Sequence, residues 1–211
     1  MRVFKIKNEP FDSFMYIVTE DDKNCLIIDL GADFSVAEEV LKSENLKPVA
    51  VLSTHNHFDH VCGVKSARDR NIPVYISTSD AKGLESEEGT LAEYAGVRYN
   101  PIFDYKTFDE GEYDFGGIRV NVLSTPGHTE GSVVFIIEDE MFSGDTLFYH
   151  TVGRTDLPGS NEDDMICSIN RLIALFSEEQ LNYTVHPGHG RDTDLLEEYM
   201  LNPFYIEHAE Y

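Results

Sequence analysis

Three histidines and an aspartate fall within six residues of one short stretch, STHNHFDHVCG (Ser53 to Gly63): His55, His57, Asp59 and His60. Imidazole nitrogens and carboxylate oxygens are the donors of catalytic zinc, iron and manganese sites. The chain has eight histidines and 18 aspartates in 211 residues, a composition that produces H-x-H-x-D-H by chance in about one chain in a thousand. A polar loop that merely happens to be rich in histidine is therefore a poor account of the stretch. His55 and His57, two residues apart, project to the same side of an extended segment. Asp59 and His60 follow at the turn into a helix, where they can face a second position close by.

Further residues of the same chemistry stand at the ends of apolar runs. LIIDLGAD delivers Asp29, VNVLSTPGHTEGS delivers His128, MFSGDTLF delivers Asp145, and YTVHPGHGRD delivers His186 and His189. Loops at strand ends are where a rigid sheet fixes binding groups. His128 can complete a first metal shell with His55 and His57, and His189 a second with Asp59 and His60. Asp145, with two oxygens, can bridge them. Three or four protein ligands per ion leave room for water, which marks a catalytic site rather than a structural one. Two ions about 3.5–4 Å apart can share a hydroxide nucleophile and steady a developing oxyanion.

These loops need elements to hold them. Apolar or alternating runs bounded by turn residues predict strands at RVFKIK, SFMYIVTE, NCLIIDL, PVAVLST, PVYIS, IRVNVLST, SVVFIIED, EMFSGD and NYTVHP. Helical apolar spacing predicts helices over Ser35 to Asn45, His60 to Arg70 and Asn161 to Phe176, with a short one after Thr193. Ser160, Asn161 and early acids suit the first turn of the third. Strands and helices recur in a roughly symmetric order, which predicts a layered α/β domain with its loops gathered along one edge.

The composition bounds the rest. No low-complexity tract or Pro- or Ser-rich linker interrupts the chain, so one domain over 1–211 is expected. Cys25, Cys62 and Cys167 are odd in number and scattered, which suits reduced thiols in a cytoplasmic protein. The N-terminus lacks a hydrophobic region of signal-peptide length. No apolar run reaches the roughly 18 residues of a membrane span. Sixteen basic against 39 acidic residues leave a net charge of −23, which argues against nucleic acid and anionic membranes and leaves a small molecule as the expected partner.

Together the motifs THNHFDH, TPGHTEGS, SGDTLF and PGHG resemble those of the metallo-β-lactamase superfamily, over nearly the whole chain. The resemblance implies an αββα sandwich, two mixed β-sheets flanked by helices, with a two-metal centre in the cleft. Carried over by position, His55, His57 and His128 look like ligands of one ion. Asp59, His60 and His189 look like ligands of the other, with Asp145 between. The implied cofactors are two divalent ions, zinc first, with iron or manganese as alternatives. Asp29 matches the family's aspartate that orients the histidine loop without binding metal.

The remaining candidates divide less sharply. His208 reads as a surface tail residue and His186 as structural. His150 is equally a substrate-facing group or a loop histidine. Tyr149 is a candidate catalytic donor to an oxyanion, and Asp59 a candidate acceptor of the proton from the attacking hydroxide. Cys62 suits a small buried residue in a helical turn. Arg154 and Asp156 can pair to hold their loop. The segments Ser79 to Tyr99 and Tyr149 to Ser160 are the expected pocket builders.

GDTLF, GRTDLPGS and PGHG look most like the small glyoxalase II-like hydrolases, which cleave thioesters. After PGHG only 21 residues follow, so the separate C-terminal helical region that holds glutathione in those enzymes is not expected. The GRTD loop also resembles persulfide dioxygenases, whose single iron would here sit on His55, His128 and Asp145. A lactonase and a non-catalytic metal-binding protein complete the alternatives. The last predicts a missing ligand, and none is missing.

Overall fold

Alternation of apolar residues along the strands sorts their side chains into three separate cores. The computed structural model describes residues 1–21, 23–177 and 180–209. Its first sheet has the order β1 (Arg2–Lys7), β2 (Phe14–Thr19), β3 (Asn24–Ile28), β4 (Lys47–Leu52), β5 (Val74–Ser77) and β6 (Lys106–Phe108). β1, β2 and β3 pair antiparallel, and β3 to β6 parallel.

The second half supplies β7 (Gly111–Phe115), β8 (Ile118–Ser124), β9 (Val133–Ile137), β10 (Glu140–Gly144), the small ribbon β11 (Leu147–Phe148) and β12 (Thr151–Val152), then β13 (Thr184–Pro187) and β14 (Thr193–Asp194). The second sheet runs β14-β13-β10-β9-β8-β7, and only its β10–β13 pair is parallel.

Successive residues of one strand feed opposite faces. Tyr16 and Val18 join Leu26, Ile28, Phe135 and Phe142 in the core between the sheets. Met15 and Ile17 point the other way, where Cys25 and Ile27 meet Ala37 and Leu41 of α1 (Ser35–Ser43). On the outer face of the second sheet, Val134, Ile136 and Val185 meet Met165, Ile169, Leu172 and Ile173 of α5 (Glu162–Ser177). Strands buried on both faces, such as β9 with no exposed residue, are therefore near-continuous apolar runs. The result is an αββα sandwich of two mixed sheets flanked by helices.

The helix expected over His60 to Arg70 is two short pieces, α2 (Phe58–Val61) and α3 (Val64–Arg68). The break falls at Gly63, whose N–H donates outward to the Leu30 carbonyl (2.9 Å) and ties the turn to the end of β3. The short α4 (Ala92–Ala95) lies within the expected pocket-building segment 79–99. One helix was expected after Thr193, and two are found, α6 (Leu195–Leu201) and α7 (Pro203–His208). His208 is not a tail residue. It ends α7, where its Nδ1 lies 2.9 Å from the Phe204 carbonyl and its own carbonyl accepts from Asn170 of α5. Among the described residues, no helix is long and apolar enough to cross a membrane.

Candidate metal centre

β3, β4, β8, β10 and β13 all end at the same edge of the sandwich. Asp29 follows β3, His55 and His57 follow β4, and Asp59 and His60 open α2. His128 lies between β8 and β9, Asp145 follows β10 and His189 follows β13. The seven residues read from the sequence as ligands meet there. The rings of His55, His57 and His128 lie with centroids 4.5–4.9 Å apart, and His55 and His60 are 4.3 Å apart.

Asp145 sits between two sets of ligands. Its Oδ1 is 3.3 Å from His60 Nε2, and its Oδ2 is 3.4 Å from His128 Nε2 and 3.5 Å from His189 Nε2. Asp59 Oδ2 is 3.2 Å from His189 Nε2 and 3.6 Å from His60 Nε2. Among the described residues, three groups have potential ligand atoms within 4.8 Å of one another: His55, His57 and His128; His55, His60 and Asp145; and Asp59, His60 and His189.

Outer contacts fix which nitrogen faces inward. Asp29, in the left-handed region at φ 58°, accepts from the Thr54 N–H (2.7 Å) and Oγ1 (2.8 Å), and its Oδ2 lies 3.0 Å from His60 Nδ1. Thr54 Oγ1 spends its proton on Asp29, so it accepts from His55 Nδ1 at 3.0 Å. His128 Nδ1 donates to the Arg154 carbonyl at 2.9 Å. Each of these three rings therefore turns its Nε2 toward the cluster.

Those inward atoms test the fit of a metal. The Nε2 atoms of His55, His60 and His128 and Oδ1 of Asp145 are buried without a hydrogen-bond partner. Buried polar atoms are almost always partnered, because leaving one unsatisfied costs about 1–3 kcal/mol. Four orphans converging on one spot fit a cation. All donors are nitrogen or oxygen, which suits zinc, iron or manganese.

Burial drives His55 well below the ordinary imidazole value and His57 down to about 3, so both are neutral donors near pH 7. Burial works against the charged form of His60 as well, but Asp145, Asp59 and Asp29 outweigh it and raise its value. Burial favours the neutral carboxyl of Asp145, yet His60 and His128 hold it well below the carboxylate range. Asp59 is likewise lowered, with His60 and His189 outweighing burial. The carboxylates are thus anionic and ready for a cation. Gly188 makes the packing possible: a Cβ there would stand 2.3 Å from Asp145 Oδ1 and 2.6 Å from His60 Cε1.

A pocket of about 400 Å³ opens on the cluster, lined by His57, Asp59, His128, Asp145 and His189 on one side and largely by carbon on the other. Both expected loops contribute, through Leu91, Tyr94 and Ala95 and through Arg154 and Leu157. Tyr149, a candidate donor from the sequence, does not line this pocket; its ring stacks on His150 (3.8 Å) under the Arg191 guanidinium (3.4 Å). His150 turns toward the C-terminal helices, with its N–H on Glu198 and Nε2 3.3 Å from Glu197. His186 lies between Glu140 (2.7 Å) and Asp192 (3.2 Å), outside the cluster. Cys62 is half-buried, and Arg154 pairs with Asp156 at 2.8 and 3.0 Å.

Sequence reasoning missed Asp80, a buried carboxylate after β5 that joins two ligand loops. Its Oδ2 accepts from the N–H of Asn56 (3.1 Å) and the hydroxyl of Thr129 (2.8 Å), and Oδ1 from the N–H of Gly131 (2.8 Å). The only signal was one aspartate after an apolar strand.

Comparison with known proteins agrees with this geometry. The profile of the metallo-beta-lactamase superfamily matches residues 8–200. The "Probable metallo-hydrolase YqgX" of Bacillus subtilis is 35% identical over 201 residues, covering 92% of this chain and 93% of its own. The crystal structure of BLEG-1 B3 metallo-beta-lactamase superposes with a TM-score of 0.87 at 34% identity, over 96% of this chain and 99% of that one. That of TTHA1623 in a di-iron-bound form gives 0.84 at 33%, over 95% and 99%. The chain belongs to the metallo-β-lactamase superfamily.

Proposed function

We propose that this chain is a hydrolase with a two-metal centre that cleaves thioesters, in the manner of the glyoxalase II-like branch. One observation carries the reading: two complete ligand sets converge on buried, unpartnered atoms, with Asp145 between them, at the floor of a largely apolar pocket. His55, His57 and His128 would hold one ion, Asp59, His60 and His189 the other, and Asp145 both. Two divalent ions there supply a water of lowered pKa and a Lewis acid for the carbonyl oxygen.

The chain's own residues do the rest. The apolar walls exclude bulk water from the carbonyl. Asp59, ionised and lining the pocket, accepts the proton of the attacking water at Oδ1 or Oδ2. The water oxygen adds to the carbonyl carbon, the carbon–sulfur bond breaks, and the thiol leaves with a proton, giving a carboxylic acid and a free thiol.

A second reading rests on the likeness to BLEG-1 B3 metallo-beta-lactamase, and is hydrolysis of a β-lactam amide by the same groups. Elemental analysis of protein purified without added metal, followed by assays on thioesters and a chromogenic β-lactam, separates the readings. Close to two zinc, iron or manganese ions per chain with thioester cleavage is expected. The di-iron form of TTHA1623 makes iron a realistic outcome alongside zinc. One iron per chain with no hydrolysis overturns the proposal in favour of a dioxygenase on His55, His128 and Asp145.

A further inference from the structure

We propose that the pocket beside the cluster is a site for an uncharged, apolar arm, so that the substrates of this chain carry a hydrocarbon or aryl group next to the reacting carbonyl rather than an anionic carrier. The inference rests on reading the cluster as a metal centre that acts on acyl compounds. It adds what the rest of the substrate must be.

The wall facing away from the ligands is built of Phe58, Leu91, Tyr94, Ala95, Phe148 and Leu157. One arginine lines the pocket, Arg154, and the Nε and Nη2 edge of its guanidinium is held by Asp156 at 2.8 and 3.0 Å. A carboxylate or phosphate lying against this wall, away from the metal ligands, would meet no cationic side chain of the lining besides Arg154, in a protein whose net charge is −23. An apolar arm gains from every carbon that leaves water.

The wall is registered to the metal loop. The N–H of Phe58, in the turn that carries Asp59 and His60, donates to the Thr90 carbonyl at 2.8 Å. Leu91 follows at φ 57° and ψ 13°, a left-handed conformation in which a bulky residue is a strained outlier. Strain of this kind persists where surrounding structure over-determines it, and it clusters at ligand sites. Here it turns α4 so that Leu91, Tyr94 and Ala95 face the pocket. Tyr94 is 74% exposed, a large aromatic with most of its surface in water at the pocket rim. An arm in the pocket would cover that ring.

The test uses zinc-loaded protein and a series of straight-chain alkyl hydroxamates, which anchor to the metal through the hydroxamate and place their chain where the arm would lie. Dissociation constants are measured by calorimetry from the two-carbon to the eight-carbon compound. About fourfold tighter binding per added methylene is expected until the pocket is full, the equivalent of about 0.8 kcal/mol per buried CH2. Tyr94→Ala, at an exposed position where folding is not at stake, lowers that slope. A hydroxamate of equal length ending in a carboxylate binds more weakly than its alkyl counterpart. A flat series, or tighter binding of the carboxylate-ended probe, overturns the inference. The same protein is assayed with acetyl to octanoyl thioesters of a neutral thiol. A steep hydroxamate series without thioester cleavage removes the thioester reading and leaves the apolar arm site standing.

Discussion

At the residue scale the site depends on atoms outside the histidine and aspartate cluster itself. Asp80 spans the loop of His55 and His57 and the loop of His128, through Asn56, Thr129 and Gly131. Replacing it with alanine strands two backbone N–H groups and a hydroxyl, and lets the three histidines drift. Loss of such an outer partner weakens metal binding by about 10- to 100-fold. Asp80→Ala is therefore expected to lose one ion per chain to a chelator well before the other, as metal analysis after stepwise chelation would show. Simultaneous loss of both ions would contradict the placement of Asp80 on one shell only. Gly188→Ala acts from the opposite side. Its new Cβ must push Asp145 or His60, since 2.3 Å and 2.6 Å are both far inside contact distance. A shift of about 1 Å at a reacting site costs on the order of a hundredfold in rate, and kcat/KM on the best thioester found should fall by about that much. The residues that converge at the cluster were legible in the sequence because their types and spacing are local and rare. Asp80 and Thr54 were not, because an aspartate or threonine after a strand is ordinary until folding shows what it accepts from.

At the scale of elements, strands that bury both faces announced themselves as apolar runs, and β2, β3, β9 and β10 lie where the runs predicted, while β8 was announced by its alternation. β6, β11, β12 and β14 escaped because two or three residues carry no periodicity. β7 escaped for another reason: GEYDF is polar, and its pairing with β8 is announced only by Gly116 and Gly117, both at positive φ in the two-residue turn. One motif can hold histidines of different roles. His186 belongs to the same motif as His189 yet ties elements together instead of binding in the cluster. It stands on β13, stacked on Phe142 of β10, between Glu140 of β10 and Asp192, which Lys5 of β1 also holds. Burial opposes its charge, but the neighbouring carboxylates of Asp192 and Glu140 win and raise its pKa above 6.5. A raised histidine value means that the folded state binds the proton more tightly than the unfolded one. The stabilisation is complete below the unfolded value of about 6.5 and is lost as pH rises through the folded value. The difference in Tm between the wild type and His186→Gln should therefore shrink from about pH 6 to about pH 9. A difference that stays constant across that range would assign the residue to packing against Phe142 alone.

The whole molecule closes its site with contacts no local pattern could foretell. Ser13 bridges His189, the Phe14 N–H donates to the Gly188 carbonyl at 2.8 Å, and the Tyr16 hydroxyl donates to the Pro187 carbonyl at 2.6 Å. The hairpin of β1 and β2 thus seats the PGHG loop at the other end of the chain, a pairing of residues 171 apart in the case of Tyr16 and Pro187. What the sequence does state at this scale is charge. With 39 acidic and 16 basic residues, carboxylates exceed lysines and arginines by 23, whatever the fold. Two opposing effects follow when salt is added. Surface ion pairs such as Lys42 with Glu38 and Arg171 with Glu110 are screened, but each is worth at most about 1 kcal/mol. Repulsion among the excess carboxylates is screened as well, and it acts across the whole surface because the Debye length is about 30 Å at 0.01 M and only about 8 Å at 0.15 M. With acids outnumbering bases more than twofold, the second effect wins. In the presence of a chelator, so that no divalent cation contributes, the Tm should rise as sodium chloride goes from about 0.01 to about 0.15 M. A Tm that falls over this interval would show that the ion pairs carry more of the stability than the carboxylate excess removes.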